Sequence, residues 1–225
     1  MFREYPRLKR FGLPTYQWKP DELHIHDSVL QKPFKWKSPR LIFTNSMSDA
    51  FHESISFDFL DKVVEVIKAT PQHTYQLLTK RSWRMMKYGE RIGEFPANAW
   101  LGVTVEAPQY KFRIEHLRKT NARVRFLSVE PLIAPLGKLD LTGIHWVIVG
   151  GESGPKYRPC NVEWIREVRD QCQTENVPFF FKQLSALRPK AAGRKLDGKE
   201  WNEYPSPRIL QSRSQRGIIL SGVIE

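Results

Sequence analysis

Six short apolar runs alternate with helix-like stripes along most of the chain, at spacings of roughly 22 to 34 residues. The runs are rich in Val, Ile, Leu and aromatic residues, which is typical of parallel strands buried on both faces. They are Leu41–Phe43, Tyr75–Leu78, Trp100–Val105, Val124–Leu127, Trp146–Val149 and Pro178–Phe181. Because parallel neighbours need a crossover, and the intervening stripes have helical periodicity, the pattern predicts an α/β fold.

The number of these units narrows the architecture further. A closed β/α barrel is built from eight strand–helix units, and this chain supplies about six. The sequence therefore predicts a partial (open) parallel β/α barrel of about six strands, with an open doubly wound sheet as the alternative.

Local signals mark where the connecting helices begin. Ser56 and Asn161 each precede an apolar stripe and are typical N-caps, and Pro108 opens a third helix. Cys172 lies on the stripe that follows Asn161, so we expect it to be a buried core thiol.

The domain boundaries follow from where this pattern starts and stops. Residues 1–205 are predicted to form a single partial β/α-barrel domain, in which residues 1–40 are an irregular N-terminal segment. Residues 206–225 are predicted to be a loosely held C-terminal tail, because prolines and an Arg/Ser-rich stretch follow the last unit. Residues 217–224 fit one further short strand.

Composition restricts the compartment and the partners. The net charge of +12 favours polyanions, either nucleic acid or phosphate-bearing small molecules. Two cysteines make no disulfide framework, and no apolar run is long enough to span a bilayer or resembles a secretory signal. We therefore expect a cytoplasmic protein without a membrane partner.

Every predicted strand ends on polar, often charged residues. In parallel α/β folds ligands bind at this edge, so the residues predict one shared polar pocket. The alternative is that these side chains cap helices or pair with one another. The residues are Asn45, Ser46, Lys80, Arg81, Thr104, Glu106, Ser128, Glu130, Glu152, Ser153, Lys182 and Gln183.

The glycine-rich segment after the fifth run has two interpretations. Gly150, Gly151 and Gly154 surround Glu152 and Ser153, and the glycines would let the backbone approach a ligand closely. The spacing fits neither a dinucleotide fingerprint nor a P-loop, so a plain glycine turn is equally compatible.

Several motifs together resemble a phage-associated family of unknown function, the "gp thirty-seven" family. The resemblance covers residues 1 to about 205. Its motifs are 43–49 (FTNSMSD) with 51–53 (FHE), 78–81 (LTKR), 100–106 (WLGVTVE), 125–132 (RFLSVEPL), 146–155 (WVIVGGESGP) with 158–159 (RP), 179–183 (FFFKQ), and 196–198 (LDG) with Trp201.

That family resembles radical S-adenosylmethionine enzymes, which implies a radical-SAM-like barrel that binds S-adenosylmethionine. It also implies a [4Fe–4S] cluster held by an N-terminal three-cysteine segment, and neither Cys160 nor Cys172 matches that segment. We therefore expect a chain that lacks the cluster ligands and is inactive alone. It would be a truncated gene product, one part of a protein completed by a partner chain that supplies the segment, or a decayed homologue kept for binding.

The resemblance also implies roles for the strand-end residues. The net charge of +12 suggests that the substrate is a nucleic acid or a nucleotide, and the residues suggest no metal site within the chain. The cofactor contacts would be Glu106, Ser128, Glu130, Gly151, Glu152 and Ser153. The substrate contacts would be Asn45, Ser46, Lys80, Arg81, Lys182 and Gln183.

Two other function classes remain open. A non-catalytic nucleic-acid-binding phage protein would use the basic surface together with exposed aromatic residues, for which Trp83, Tyr88 and Tyr110 are the candidates. A metal-dependent hydrolase would need convergent His and acidic ligands, which this sequence supplies poorly.

Overall fold

The fold is an open half-barrel of six parallel strands. The computed structural model describes residues 27–44, 48–188 and 193–205. The strands follow one another in the sheet in chain order, and every neighbouring pair is parallel. This confirms the predicted partial β/α barrel. The strands are β1 Leu41–Phe43, β2 Thr74–Thr79, β3 Ala99–Thr104, β4 Val124–Val129, β5 Trp146–Gly150 and β6 Phe179–Gln183.

Helices connect most of the strands on the outer face. They are α1 Asp27–Leu30, α2 Phe57–Ala69, α3 Ser82–Ile92, α4 Phe112–Arg118 and α5 Val162–Thr174, with 3₁₀ turns at Pro33–Lys35 and Pro108–Tyr110. Ser56 caps α2 by accepting a hydrogen bond from Phe59 N, and Asn161 caps α5 by accepting one from Glu163 N, as predicted. The helix expected to begin at Pro108 starts with the 3₁₀ turn and becomes α-helical only at Phe112.

The sheet buries a different apolar cluster on each face. The main core lies between the strands and the outer helices and includes Cys172, which confirms its predicted burial. Side chains of alternate residues point to the concave side, where Trp100, Val124, Phe126 and Trp146 form a second buried cluster. In the part of the chain that the structure describes, no helix is both long enough and apolar enough to cross a membrane.

A two-stranded hairpin, β7 Lys195–Leu196 with β8 Lys199–Glu200, follows the sheet. Its turn is Asp197-Gly198, and both residues have positive φ (55° and 75°), the geometry that such tight hairpins require. The chain after it runs along β6, where Phe181 N donates to Trp201 O at 2.9 Å. The hairpin segment therefore covers the β6 edge of the sheet.

The predicted domain boundaries stay predictions. Of the segment expected to be irregular, residues 27–40 are described, and they contain α1 and one 3₁₀ turn. The tail 206–225, with its suggested strand at 217–224, lies outside the described residues.

Candidate functional site

The parallel topology brings the strand-end residues to one edge of the half-barrel, which we call the rim. Since every strand runs in the same direction, all six carboxyl ends meet there. Asn45 and Ser46 belong to this edge by sequence but lie outside the described residues. The described rim residues are Lys80, Arg81, Thr104, Glu106, Ser128, Glu130, Glu152, Ser153, Lys182 and Gln183.

Glu106, just beyond β3, is the most buried carboxylate of the rim. Its side chain is 7% exposed and forms ion pairs with Lys80 and with Arg113, whose Nη1 lies 2.8 Å from Oε2. The same Arg113 nitrogen donates to Thr104 O at 2.8 Å. The Lys80 side chain is 53% exposed, so one partner of Glu106 is internal and the other faces solvent.

Opposing effects set the pKa of Glu106. Burial alone would raise it, but hydrogen bonds from Lys80 and a backbone amide, with the charges of Lys80 and Arg113, lower the pKa below its ordinary value. Glu106 is therefore a stable carboxylate at neutral pH, able to accept hydrogen bonds or face a cation.

Glu130, just beyond β4, forms the second pair. Lys182 Nζ donates to Oε2 at 3.0 Å, and Gln183 Nε2 donates to Oε1 at 2.8 Å. Gln183 Nε2 also reaches Gly151 O at 3.0 Å, which ties the ends of β4, β5 and β6 together. The Lys182 side chain is as exposed as that of Lys80, so both lysines present their ammonium groups to solvent.

Glu152 pairs with a residue of its own loop. Arg158 contributes its backbone N–H and its guanidinium to the carboxylate, at 2.8 to 2.9 Å. These hydrogen bonds hold the pKa of Glu152 at about 2. The charge of Glu106 also contributes to the raised pKa of Arg158, so this pair lies within electrostatic reach of β3.

Gly151 is needed for a close approach within the protein itself. A Cβ at this position would overlap the backbone and hydroxyl of Ser185. Ser153 forms a parallel bridge with Ala186, and Glu152 N donates to Ser185 Oγ at 3.1 Å. The glycine-rich segment is therefore fixed against the chain that follows β6.

Arg81 binds different acids from its neighbour Lys80. Its Nη1 lies 3.0 Å from Asp49 Oδ2 and its Nε lies 2.7 Å from Glu53 Oε2. Asp49 also accepts hydrogen bonds from Thr79 Oγ1 and from Phe51 N, so it joins the start of the rim to β2.

Two small hydroxyl residues separate the charged pairs from the aromatic cluster. Thr104 and Ser128 face each other across β3 and β4, and both are buried. Thr104 lies two residues after Gly102 and Ser128 two residues after Phe126, so each side chain is on the same face of the sheet as that residue. The concave side thus has an aromatic floor, then two hydroxyls, then paired charges at the rim.

The described residues do not fit an iron–sulfur cluster. They contain no group of three or more His, Cys, Asp or Glu side chains arranged to hold a metal ion. Cys160 and Cys172 are fewer than the three thiolate ligands that the resemblance implies, and burial raises the pKa of their thiols to about 11 and about 12.

Sequence reasoning missed some partners and misjudged one aromatic residue. Arg113 and Arg158 neutralise two rim acids; Arg158 lies in a motif quoted above, whereas Arg113 carried no signal beyond its charge. Tyr88 was expected to be exposed but is fully buried beneath α2, because it sits on the apolar stripe of α3 and donates to Asp61. Tyr110 is half-buried under Arg113, and only Trp83 is widely exposed.

These observations define the class: an α/β protein with an open parallel half-barrel and a charged, internally paired rim. The chain belongs to the family described as protein of unknown function (DUF5131), whose model matches residues 3–205. No curated protein and no solved structure matches the chain. The description of this family names no activity. The resemblance to a phage-associated family and to radical S-adenosylmethionine enzymes therefore stays a prediction.

Proposed function

We propose that the rim and the concave face bind S-adenosylmethionine. The observation that carries this proposal is the pair of lysine–glutamate contacts, Lys80–Glu106 and Lys182–Glu130, above the two hydroxyls and the aromatic floor. A ligand that suits such a site carries both charges, several hydroxyls and a flat apolar part.

Charge supports this match. The amino-acid end of S-adenosylmethionine has a carboxylate, for which the exposed lysine ammonium groups are partners, and an ammonium, for which the glutamates are acceptors. Its sulfonium is a second cation that favours nearby carboxylates. Exposed ion pairs contribute little stability in water, so exchanging Lys182–Glu130 for contacts with the ligand costs little.

Shape supports it as well. Thr104 and Ser128, which are both buried at the same register, carry small hydroxyls that would face a ribose on the concave side. Below them, Trp146 packs against Trp100, Phe126 and Phe180 at ring-centroid distances of 5.9 to 6.1 Å. Trp100, Phe126 and Trp146 are buried, so an adenine ring would lie above this apolar floor rather than between the rings.

The chemistry of the bound ligand would be that of its sulfonium, from which a methyl or a deoxyadenosyl group can be released. The residues of this chain would bind and orient it, with the pKa of Glu106 kept below its ordinary value by Lys80 and Arg113.

Isothermal titration calorimetry with S-adenosylmethionine tests the proposal. The double variant Lys182→Met/Glu130→Gln removes one rim pair without changing net charge, and it should weaken binding about tenfold or more. The control is Lys68→Met/Glu65→Gln, which removes an exposed pair on α2 in the same way. S-adenosylhomocysteine, which lacks the sulfonium charge, should bind more weakly than S-adenosylmethionine.

Two results would contradict the proposal. One is the absence of binding at millimolar S-adenosylmethionine; the other is equal affinity in the rim variant and the control. The Lys182–Glu130 pair is the better target because replacing Glu106 would leave Arg113 buried without its partner.

A further inference from the structure

Two aromatic side chains stand out on the neighbouring helices α3 and α4. Trp83, in the first turn of α3, is 59% exposed, and Phe112, at the start of α4, is 53% exposed. They are connected through two contacts: Ser82 Oγ lies 2.9 Å from His116 Nδ1, and the His116 ring lies edge-on to Phe112 at 5.6 Å. These contacts show that the first turn of α3, which carries Trp83, adjoins α4, which carries Phe112; we call the outer surface of the two helices the α3–α4 face.

Lysines supply the accessible positive charge of this face. Lys87 Nζ lies 6.0 Å from the Trp83 ring centroid, whereas Arg113, 5.9 Å from the Phe112 centroid, is buried and pairs with Glu106. Lys119 is exposed at the end of α4, and its charge contributes, after burial, to lowering the pKa of His116. Residues 80–119 contain nine Lys or Arg against four Glu, so this stretch is more basic than the average of the chain.

The exposed rings have no role in the core. Trp83 and Phe112 are absent from both buried clusters of the described residues, whereas Met85, Tyr88 and Leu117 of the same helices are inside. The Lys87–Glu90 pair is exposed on both sides, so a phosphate can replace the carboxylate at little cost.

We infer that the α3–α4 face binds single-stranded nucleic acid, with Trp83 and Phe112 as stacking platforms for bases. Single-strand binding sites combine a positive surface along the backbone with aromatic rings under the bases. The face lies directly beside the rim, since Arg81 precedes Ser82 in the chain. The inference goes beyond S-adenosylmethionine binding and does not depend on it.

The composition of the face favours nucleic acid over a protein partner. Protein interfaces have contiguous apolar cores, but the large exposed side chains on these helices are two aromatic rings next to cations. The large exposed aliphatic residues of the described chain, Leu41 and Leu187, belong to other segments.

Fluorescence anisotropy tests this inference without any small ligand. The probes are fluorescein-labelled oligo(dT) and oligo(U) of about 20 nucleotides, longer than the roughly 4–16 nucleotides such sites cover. Wild-type protein should bind, and its affinity should fall steeply between about 50 and 200 mM salt. Trp83→Ala and Phe112→Ala should each weaken binding about tenfold at constant charge.

Phe34→Ala is the matched control. Phe34 is 49% exposed, but it lies next to Pro33, whose carbonyl contacts His73 before β2, at the opposite edge of the sheet. It should leave binding unchanged. Comparison of the two probes shows whether ribose or deoxyribose is preferred.

Three outcomes would overturn the inference. They are no binding of either probe at low salt, equal affinity for a duplex of the same length, and binding that survives the Trp83→Ala/Phe112→Ala double variant. The last would mean that the +12 charge attracts polyanions without these rings. Because both side chains are exposed, circular dichroism should show the double variant folded as wild type.

Discussion

Gly102 lies in the middle of β3, where side-chain packing requires a glycine. The tip of the Phe126 ring from β4 lies against it, and all three nearest atoms to an added Cβ would belong to that ring. The absence of a side chain on one strand thus makes room for an aromatic on the next. This contact is part of the concave floor below the rim.

Gly102→Ala should therefore destabilise the fold by about 2–3 kcal/mol, since Phe126 is fixed between Trp146 and the sheet. Urea unfolding followed by tryptophan fluorescence measures the loss. Adding Phe126→Leu should recover part of it, so the two losses should be non-additive by about 1 kcal/mol or more. Strict additivity would show that the ring does not fill this space.

The two rim glutamates should differ in their contribution to stability. Glu106→Gln removes the charged partner of buried Arg113 and should cost about 3 kcal/mol. Glu130→Gln acts on the exposed Lys182 and should cost less than about 1 kcal/mol. Chemical denaturation of both variants measures their free energies of unfolding. Equal losses would contradict the expectation that the buried Glu106–Arg113 pair contributes more than the exposed Glu130–Lys182 pair.

The pH dependence of stability follows from the same contact. The folded protein holds the pKa of Glu106 below its ordinary 4.5, so its ion pairs stabilise the fold fully above that pH. This contribution is lost as the pH falls through the lowered pKa. Melting temperatures measured from neutral pH down to about pH 3 should therefore decline less in Glu106→Gln than in wild type.

At the scale of elements, the β7–β8 hairpin depends on charges that α5 supplies. Arg166 Nη2 lies 2.6 Å from Asp197 Oδ1, and Arg169 contacts the same carboxylate. The pKa of Asp197 is held at about 2 by these two guanidinium groups. The contacts fix the turn of the hairpin onto the helix, and the chain that follows then covers β6.

Asp197→Asn should loosen this cover while keeping the turn, because asparagine tolerates the positive φ of 55°. Amide hydrogen exchange at Phe181, which donates to Trp201, should become faster. Glu163→Gln, which removes only the neighbouring i,i+3 partner of Arg166, is the control and should leave that amide protected. Unchanged exchange in Asp197→Asn would show that the hairpin holds without the charges.

The sequence predicted the elements well where burial determines them. Strands surrounded by helices and sheet have continuous apolar runs, so all six predicted strands overlap the observed ones by more than half of their length, with β6 shifted toward Gln183. The helix before Phe112 was less predictable, because Pro108 is compatible with both a 3₁₀ turn and an α-helix. The hairpin was missed, since two-residue strands have too little periodicity to detect.

The site was predicted only in part. Parallel strands all end at the same edge of the sheet, so the fold class predicted that the strand-end residues share that edge. The ion pairs could not be predicted from the fold class. Lys80 pairs with Glu106 and Arg81 with Asp49 because of the directions of the side chains at the ends of β2 and β3. Glu106 and Glu130 do pair with other rim residues, as the alternative expected, whereas Glu152 pairs with Arg158 of its own loop.

At the scale of the whole molecule, one sheet joins all the described units. The main buried cluster runs from Phe51 to Leu196 and includes residues from every strand between β2 and β6 and from the four longer helices. A cluster that contains all these elements is expected to unfold as one unit. Separate subdomains would need a gap in this cluster, and none is found among its described members.

This continuity makes the predicted boundary at residue 205 testable. A chain ending at Pro205 retains every described residue of both buried clusters, so its melting temperature should match that of the full chain, with calorimetric and van't Hoff enthalpies equal in both. Chains ending before Lys195 should be destabilised, because they lose Leu196 from the core and expose the β6 edge. A lower melting temperature in the 1–205 chain would assign residues 206–225 to the domain rather than to a tail.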